Sequence, residues 1–222
     1  MEKHGEFNQF VYFRLLAFTG LRRSEALALK KSDININERS LSISRTLAED
    51  EYKSTIVSNY TKTGNAEDEE VVLYLDDYTF EVLIKLCEQT RFRRANHVYV
   101  EILDSEWLFV SPKTGRHYSR TAANDWIKRF WEKHGDELRS ARLHYISPHG
   151  FRHSQATMLF ELGIDSKDAQ HRLRHKNIKT TMDIYTHISE SRKQSAVDKL
   201  NQLNSDKATS KATLKIISMK KS

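Results

Sequence analysis

The 222-residue sequence predicts an α+β fold, mainly α: a helical domain carrying a small antiparallel β-sheet. Three observations lead there. Segments with helical periodicity or helix-end signals dominate the chain. Alternating apolar and polar runs are confined to residues 41–75. Hydrophobic residues make up 38%, enough to bury a core.

The elements follow in chain order. Phe7 to Ala17 is apolar enough for a buried helix, which stops at Thr19-Gly20. A second helix covers about Arg23 to Leu29, with Ser24 near its start, and Asp33 to Asn37 reads as a turn. Leu41-Ser42-Ile43-Ser44 alternates as a strand does, and Thr55–Lys62 and Val71–Leu75 are two more strand candidates. The polar turn-former Gly64 to Glu69 lies between the last two. These three give one antiparallel sheet over 41–75.

From Asp77 the period changes, and Tyr78, Val82, Ile84, Leu86 and Cys87 indicate a helix. Trp107 to Val110 is a short apolar run closed by the turn Ser111-Pro112-Lys113-Thr114-Gly115. Thr121–His134 carries Trp126, Ile127, Phe130 and Trp131 on a helical face. Ser147-Pro148 opens the helix His149–Leu162, since proline early in a helix loses no needed N–H. Helices over Ser166–Leu173, Thr180–Tyr185 and Ser189–Leu203 complete the fold. No Pro/Gly/Ser-rich linker splits the chain, so residues 1–204 read as one domain and 205–222 as a tail. The stretch Leu214–Met219 is either solvated or a strand that docks on a neighbour.

Composition narrows the function. Net charge is +6, from 36 Lys+Arg against 30 Asp+Glu, which points weakly to a polyanionic partner. Two prolines and seven glycines exclude a collagen-like chain. The single cysteine, Cys87, forms no internal disulfide and supplies no cysteine-based zinc site. No run of 18 apolar residues exists and Met1-Glu2-Lys3-His4 has no signal core, so the expected location is cytoplasmic, with no membrane contact.

The glycines never cluster into a phosphate-cradling loop, so nucleotide-driven chemistry is not expected. His149/His153 and His171/His175 are spaced i, i+4, as zinc ligands on a helix would be, but arginines beside both pairs repel a dication. No metal is expected. Glu67-Asp68-Glu69-Glu70 reads as a solvated turn, and Trp107, Trp126 and Trp131 as core. The more telling set is distributed. Arg22 follows a glycine turn at a helix start, where N–H groups and a guanidinium make an anion site. His149 and Arg152 share a helical face, and His175 and Tyr185 complete a His/Arg/Tyr collection.

Together these residues resemble the tyrosine recombinase (phage integrase) family, whose members exchange DNA strands at specific sites. Thr19-Gly20-Leu21-Arg22-x-x-Glu25-x-x-x-Leu29 matches the first arginine box and His149-x-x-Arg152-His153 the second. Leu173-Arg174-His175-Lys176-Asn177-Ile178-Lys179-Thr180-Thr181-Met182-Asp183-Ile184-Tyr185-Thr186-His187 matches the third, which carries the nucleophile. Thr61-Lys62-Thr63 falls where the family keeps a lysine on a hairpin. The resemblance covers about Phe7 to Leu203, and the third box is closest to integrases of phages and mobile elements of Gram-positive bacteria. Two departures stand out. Arg174 occupies the usual glycine position, where a side chain either crowds the preceding turn or reaches phosphate. The hairpin after Lys62 is acidic where the family is basic.

The resemblance implies a catalytic domain that cleaves and rejoins DNA without metal or other cofactor. Tyr185 attacks phosphorus to form a 3′-phosphotyrosine, and a 5′-hydroxyl leaves. Arg22 and Arg152 clamp the non-bridging oxygens, because guanidinium stays charged and offers a planar fork of donors. Lys62 protonates the leaving oxygen, His149 assists proton transfer at the tyrosine, and His175 hydrogen-bonds the phosphate or leaving atom. Glu25 orients His149 or Arg152 from behind, or else forms a surface ion pair. The implied partners are double-stranded DNA at attachment sites, further copies of the chain in a tetramer, and accessory DNA-bending proteins. Arg45, Lys53, Arg91, Arg93, Arg94, Lys113, Arg116, Arg120, Lys128 and Arg129 either line a DNA groove or solubilise the surface. The stripe Val197, Leu200, Leu203 docks on a neighbour or folds back. The family's N-terminal clamping domain has no room before the first box, so the chain reads as part of a longer integrase. Two alternatives stay open: a type IB topoisomerase-like nicking-closing enzyme, and a catalytically inactive DNA-binding module.

Overall fold

The computed structural model describes residues 6–59, 71–89, 92–95, 98–101 and 106–186, with 92–95 and 98–101 described by backbone alone. The first helix, α1 (Phe7–Thr19), buries Val11, Tyr12, Phe13, Leu15 and Leu16, and three other helices pack around it. It ends where the sequence predicts, at Gly20 in the left-handed region (φ 67°). A Cβ at Gly20 would lie 2.5 Å from Leu173 Cδ2, so only glycine fits this approach. The short α2 (Arg23–Leu27) follows at once. The Tyr12 hydroxyl donates to the Arg23 carbonyl at 3.0 Å, and its ring meets Phe109 and Trp126 edge-on at 5.4 and 5.3 Å. The central core is thereby tied to the start of α2.

The strand region departs from the single expected sheet. Strands β1 (Ile34–Asn35), β2 (Ser40–Ile43) and β5 (Val71–Tyr74) form one antiparallel sheet in the order β1-β2-β5, with Leu41 opposite both Ile34 and Leu73. Strands β3 (Thr46–Glu49) and β4 (Thr55–Ser58) form a separate ladder. The chain leaves β2 at Ile43, makes this hairpin, and returns to β2 as β5, so residues 41–75 hold two ladders. Strand β3 carries no apolar alternation beyond Leu47 and Ala48, which hides it from a pattern search. A third antiparallel ladder pairs β6 (Phe92–Ala95) with β7 (Val98–Glu101), in a stretch where no element was expected.

Helix α3 (Asp77–Glu88) is capped by Asp76, which accepts the Thr79 N–H at 3.0 Å. Helix α4 (Ala122–Ser140) outruns its predicted end and buries Trp126 and Ile127. Helix α5 (Gly150–Glu161) starts two residues after Pro148, and α6 (Ser166–Leu173) has the predicted bounds, its N-terminus capped by Asp165. The chain is helical again over 178–186, here α7.

Two apolar clusters result. The larger joins α1, α2, α3 and α4 to Leu41, Ile43, Leu73, Leu108 and Phe109; the smaller joins Ala156, Leu159, Ala169, Leu173 and Tyr185. Among the described residues no helix is long and apolar enough to cross a membrane. Lys62, the Glu67–Glu70 run, the helix expected over Ser189–Leu203 and the tail lie outside the described residues.

Candidate active site

Three chain segments meet at one cleft: the Gly20 turn, the start of α5, and the link from α6 to α7. They line a cleft of about 360 Å³ formed by Arg22, His149, Arg152, His153, His175, Lys176, Asn177, Thr180 and Ile184. Four of the expected site residues, Arg22, His149, Arg152 and His175, therefore converge.

Each cation is held by backbone or carboxylate oxygens. Arg152 is 5% exposed, and its two terminal nitrogens donate to the Gly20 and Leu173 carbonyls, bridging the first and third boxes. Arg22 Nη1 donates to Glu25 Oε1 at 2.8 Å and Nη2 to the Arg174 carbonyl at 3.2 Å. A guanidinium has five N–H donors, so each arginine keeps donors for an anion in the cleft. Burial, with Arg22 and Arg174 nearby, lowers the Arg152 pKa from the ordinary guanidinium value. It stays cationic at neutral pH.

Glu25 is 1% exposed, so it is no surface ion pair. Nor does its carboxylate bond His149 or Arg152, the expected partners. Oε2 accepts the Arg22 backbone N–H at 2.9 Å and Arg174 Nη2 at 2.6 Å, while Oε1 takes the Arg22 side chain. Burial alone would raise this carboxyl, but the Arg174 and Arg22 guanidiniums outweigh it and hold its pKa below the ordinary value.

His149 and His175 are both shifted towards the neutral form. Burial, then the Arg152, Arg22, His153 and Arg174 charges, pushes His175 down to about 4. Burial and the neighbouring His153 and arginine charges lower His149 as well. His175 Nδ1 sits 2.8 Å from Thr181 Oγ1, and its backbone N–H and carbonyl are both engaged by Gln170. The ring is thus held at Nδ1, and its backbone is anchored on both sides. The His149 and His153 rings stand edge-to-face at 4.9 Å. Among the described residues no group of three or more potential metal ligands gathers.

Tyr185 does not line the cleft, although its neighbour Ile184 does. Its ring packs on Phe160 at 4.9 Å, and its hydroxyl donates to the Ile164 carbonyl at 3.2 Å. Burial, with the Asp165 charge, raises its pKa. Arg174 neither crowds the turn nor reaches the cleft: it turns inward to Glu25. The sequence reading missed Thr181 as the partner of His175, and Lys176, Asn177 and Thr180 as cleft residues. All four lie inside the third box, which was the available signal. Of the basic residues considered for a groove, Arg45, Arg120 and Lys128 are paired with Asp33, Glu49 and Glu132. Lys53, Lys113, Arg116 and Arg129 are exposed, and the side chains of Arg91, Arg93 and Arg94 lie outside the described residues.

Comparison with known proteins places this arrangement. A probable integrase of prophage ps2 from Lactococcus lactis is 32% identical over 190 residues, covering 85% of this chain and 47% of that protein. A XerC-like tyrosine recombinase from Caldanaerobacter subterraneus is 30% identical over 203 residues, covering 85% and 48%. The chain thus spans about half the length of these relatives. Among solved structures, the integrase of transposon Tn1549 in complex with circular intermediate DNA shares the fold with a TM-score of 0.67 at 19% identity, covering 90% of this chain and 60% of that one. The XerA recombinase does so with a TM-score of 0.55 at 20% identity, covering 86% and 64%. The model of the phage integrase family matches residues 3–192, a span that takes in all three boxes and every residue lining the cleft, and the chain belongs to that family.

Proposed function

We propose that the chain is the catalytic part of a site-specific DNA recombinase that cleaves and rejoins strands through a 3′-phosphotyrosine at Tyr185. The convergence of two guanidiniums and two neutral imidazoles on one cleft supports this reading. A phosphodiester resists attack because its anionic oxygens repel nucleophiles, so catalysis needs positive charge aimed at those oxygens. Arg22 and Arg152 supply it, with donors left over after their protein contacts.

Tyr185 Oη attacks phosphorus, the P–O5′ bond breaks, and the 5′-oxygen leaves as a hydroxyl. The phenol proton passes to His149, which is neutral and able to accept it. Lys62 protonates the leaving oxygen, and His175, fixed by Thr181 and Gln170, hydrogen-bonds a phosphate oxygen. Because the covalent bond stores the energy of the broken ester, a 5′-hydroxyl from a second duplex reverses the step, and no cofactor is consumed. The phenol must first leave the Ile164 carbonyl, so movement of α7 on DNA precedes cleavage. The partners are double-stranded attachment sites, further copies of the chain in a tetramer, and DNA-bending proteins, and the reaction belongs in the cytoplasm.

The seat of Tyr185 outside the cleft also favours a second reading, a DNA-binding module that does not cleave. A duplex nicked beside the cleavage site separates the two. The recombinase reading predicts a denaturation-resistant protein–DNA adduct that Tyr185→Phe abolishes and Arg22→Ala lowers at least about 100-fold, the scale of losing one oxyanion contact. Absence of adduct from the wild type supports the module. Supercoil relaxation by the chain on DNA without paired sites indicates a topoisomerase-like enzyme.

A further inference from the structure

At position 174 the backbone lies in the left-handed region, φ 55° and ψ 48°, at the C-cap of α6. Glycine adopts this conformation without cost, whereas a side chain pays for it. The chain nevertheless carries arginine here and buries it, with its side chain 6% exposed. Two of its nitrogens, Nε and Nη1, are buried without a hydrogen-bond partner among the described residues. Two guanidiniums, Arg22 and Arg174, share the single carboxylate of Glu25, and Arg152 feels both of their charges. Burying a cation so incompletely compensated gives little net stability, so stability does not explain the residue.

Its contacts do. Arg174 Nη2 grips Glu25 Oε2 at 2.6 Å. The same oxygen accepts the Arg22 backbone N–H, and the other carboxylate oxygen accepts Arg22 Nη1. The Arg174 carbonyl also accepts Arg22 Nη2. Arg174 does not itself line the cleft, whereas Arg22 does.

We propose that Arg174 is a positioning residue for strand cleavage: from the end of α6 it clamps the Glu25 carboxylate, and Glu25 in turn sets the Arg22 guanidinium at the cleft. This deepens the recombinase reading and rests on it for the reaction concerned. The link couples the third box to the first across 149 residues. A glycine in this place keeps the carbonyl contact to Arg22 but drops the clamp on Glu25.

The test uses the full chain and two readouts. Guanidinium N–H signals of Arg22, followed by NMR in the DNA-free protein, report its fixation directly. Arg174→Gly is expected to collapse the separate Nη signals of Arg22 into one averaged signal, and Arg174→Lys to keep them, since one N–H suffices for Oε2. With the nicked duplex, Arg174→Gly is expected to form adduct about 10–100-fold more slowly at unchanged duplex affinity, the cost of a slightly misplaced reacting group. Arg174→Lys should restore most of that rate. Adding Arg174→Gly to Glu25→Gln should cost nothing further, because both act through one contact. Unchanged Arg22 signals in Arg174→Gly, or additive losses with Glu25→Gln, overturn the clamp. A wild type that forms no adduct, while Arg22 still loosens in Arg174→Gly, overturns the recombinase reading and leaves the clamp standing.

Discussion

His175 shows how the cleft sets its own chemistry. Its pKa of about 4 comes from burial first and then from Arg152, Arg22, His153 and Arg174. The sign of the pH effect follows. Unfolded, the ring takes up a proton near 6.5; folded, it refuses one until about 4. Stability is therefore full above 6.5 and is lost as the pH falls towards 4, because protons drive the chain to the unfolded state. Thermal unfolding followed from pH 7 to pH 4.5 should show a falling midpoint, and His175→Gln should flatten that slope. Equal slopes for the two proteins would mean that the histidine titrates normally. The window stays above the range in which Glu25, whose pKa is also lowered, loses its own contribution. Single residues in this cleft were legible where chemistry dictates the type, as with Arg22, Arg152 and His175. The Glu25–Arg174 pair was not, because its members lie 149 residues apart and no local pattern joins them. Nor was the resting place of Tyr185, which depends on the packing of Phe160 and on the Ile164 carbonyl.

Elements were legible to the extent that local physics fixes them. Helix α1 is apolar and stops at a glycine, and α6 runs from an Asp cap to its third-box end; the sequence predicts both. The return of β5 to β2 past a separate hairpin is a long-range pairing, which alternation within a strand does not encode. At this scale Gly20 is the critical joint. It ends α1, meets Leu173 of α6, and offers its carbonyl to Arg152. Gly20→Ala combines a left-handed backbone with overpacking, so a loss of about 2–4 kcal/mol is expected in denaturant unfolding. A loss below about 1 kcal/mol would show that the turn relaxes around the methyl group.

Across the whole molecule, Arg152 ties the Gly20 turn to the end of α6 by bonding the Gly20 and Leu173 carbonyls, and the cleft opens beside this tie. Family membership and the fold agree with the reading from the boxes, while the covalent chemistry rests on the proposed role of Tyr185. That role is tested most directly by trapping the chain on a nicked duplex, digesting DNA and protein, and locating the residual nucleotide by mass spectrometry. A nucleotide 3′-phosphate on the tyrosine at position 185 is the expected result. The same mass on another residue, or no modified peptide from a protein that binds the duplex, would contradict the account.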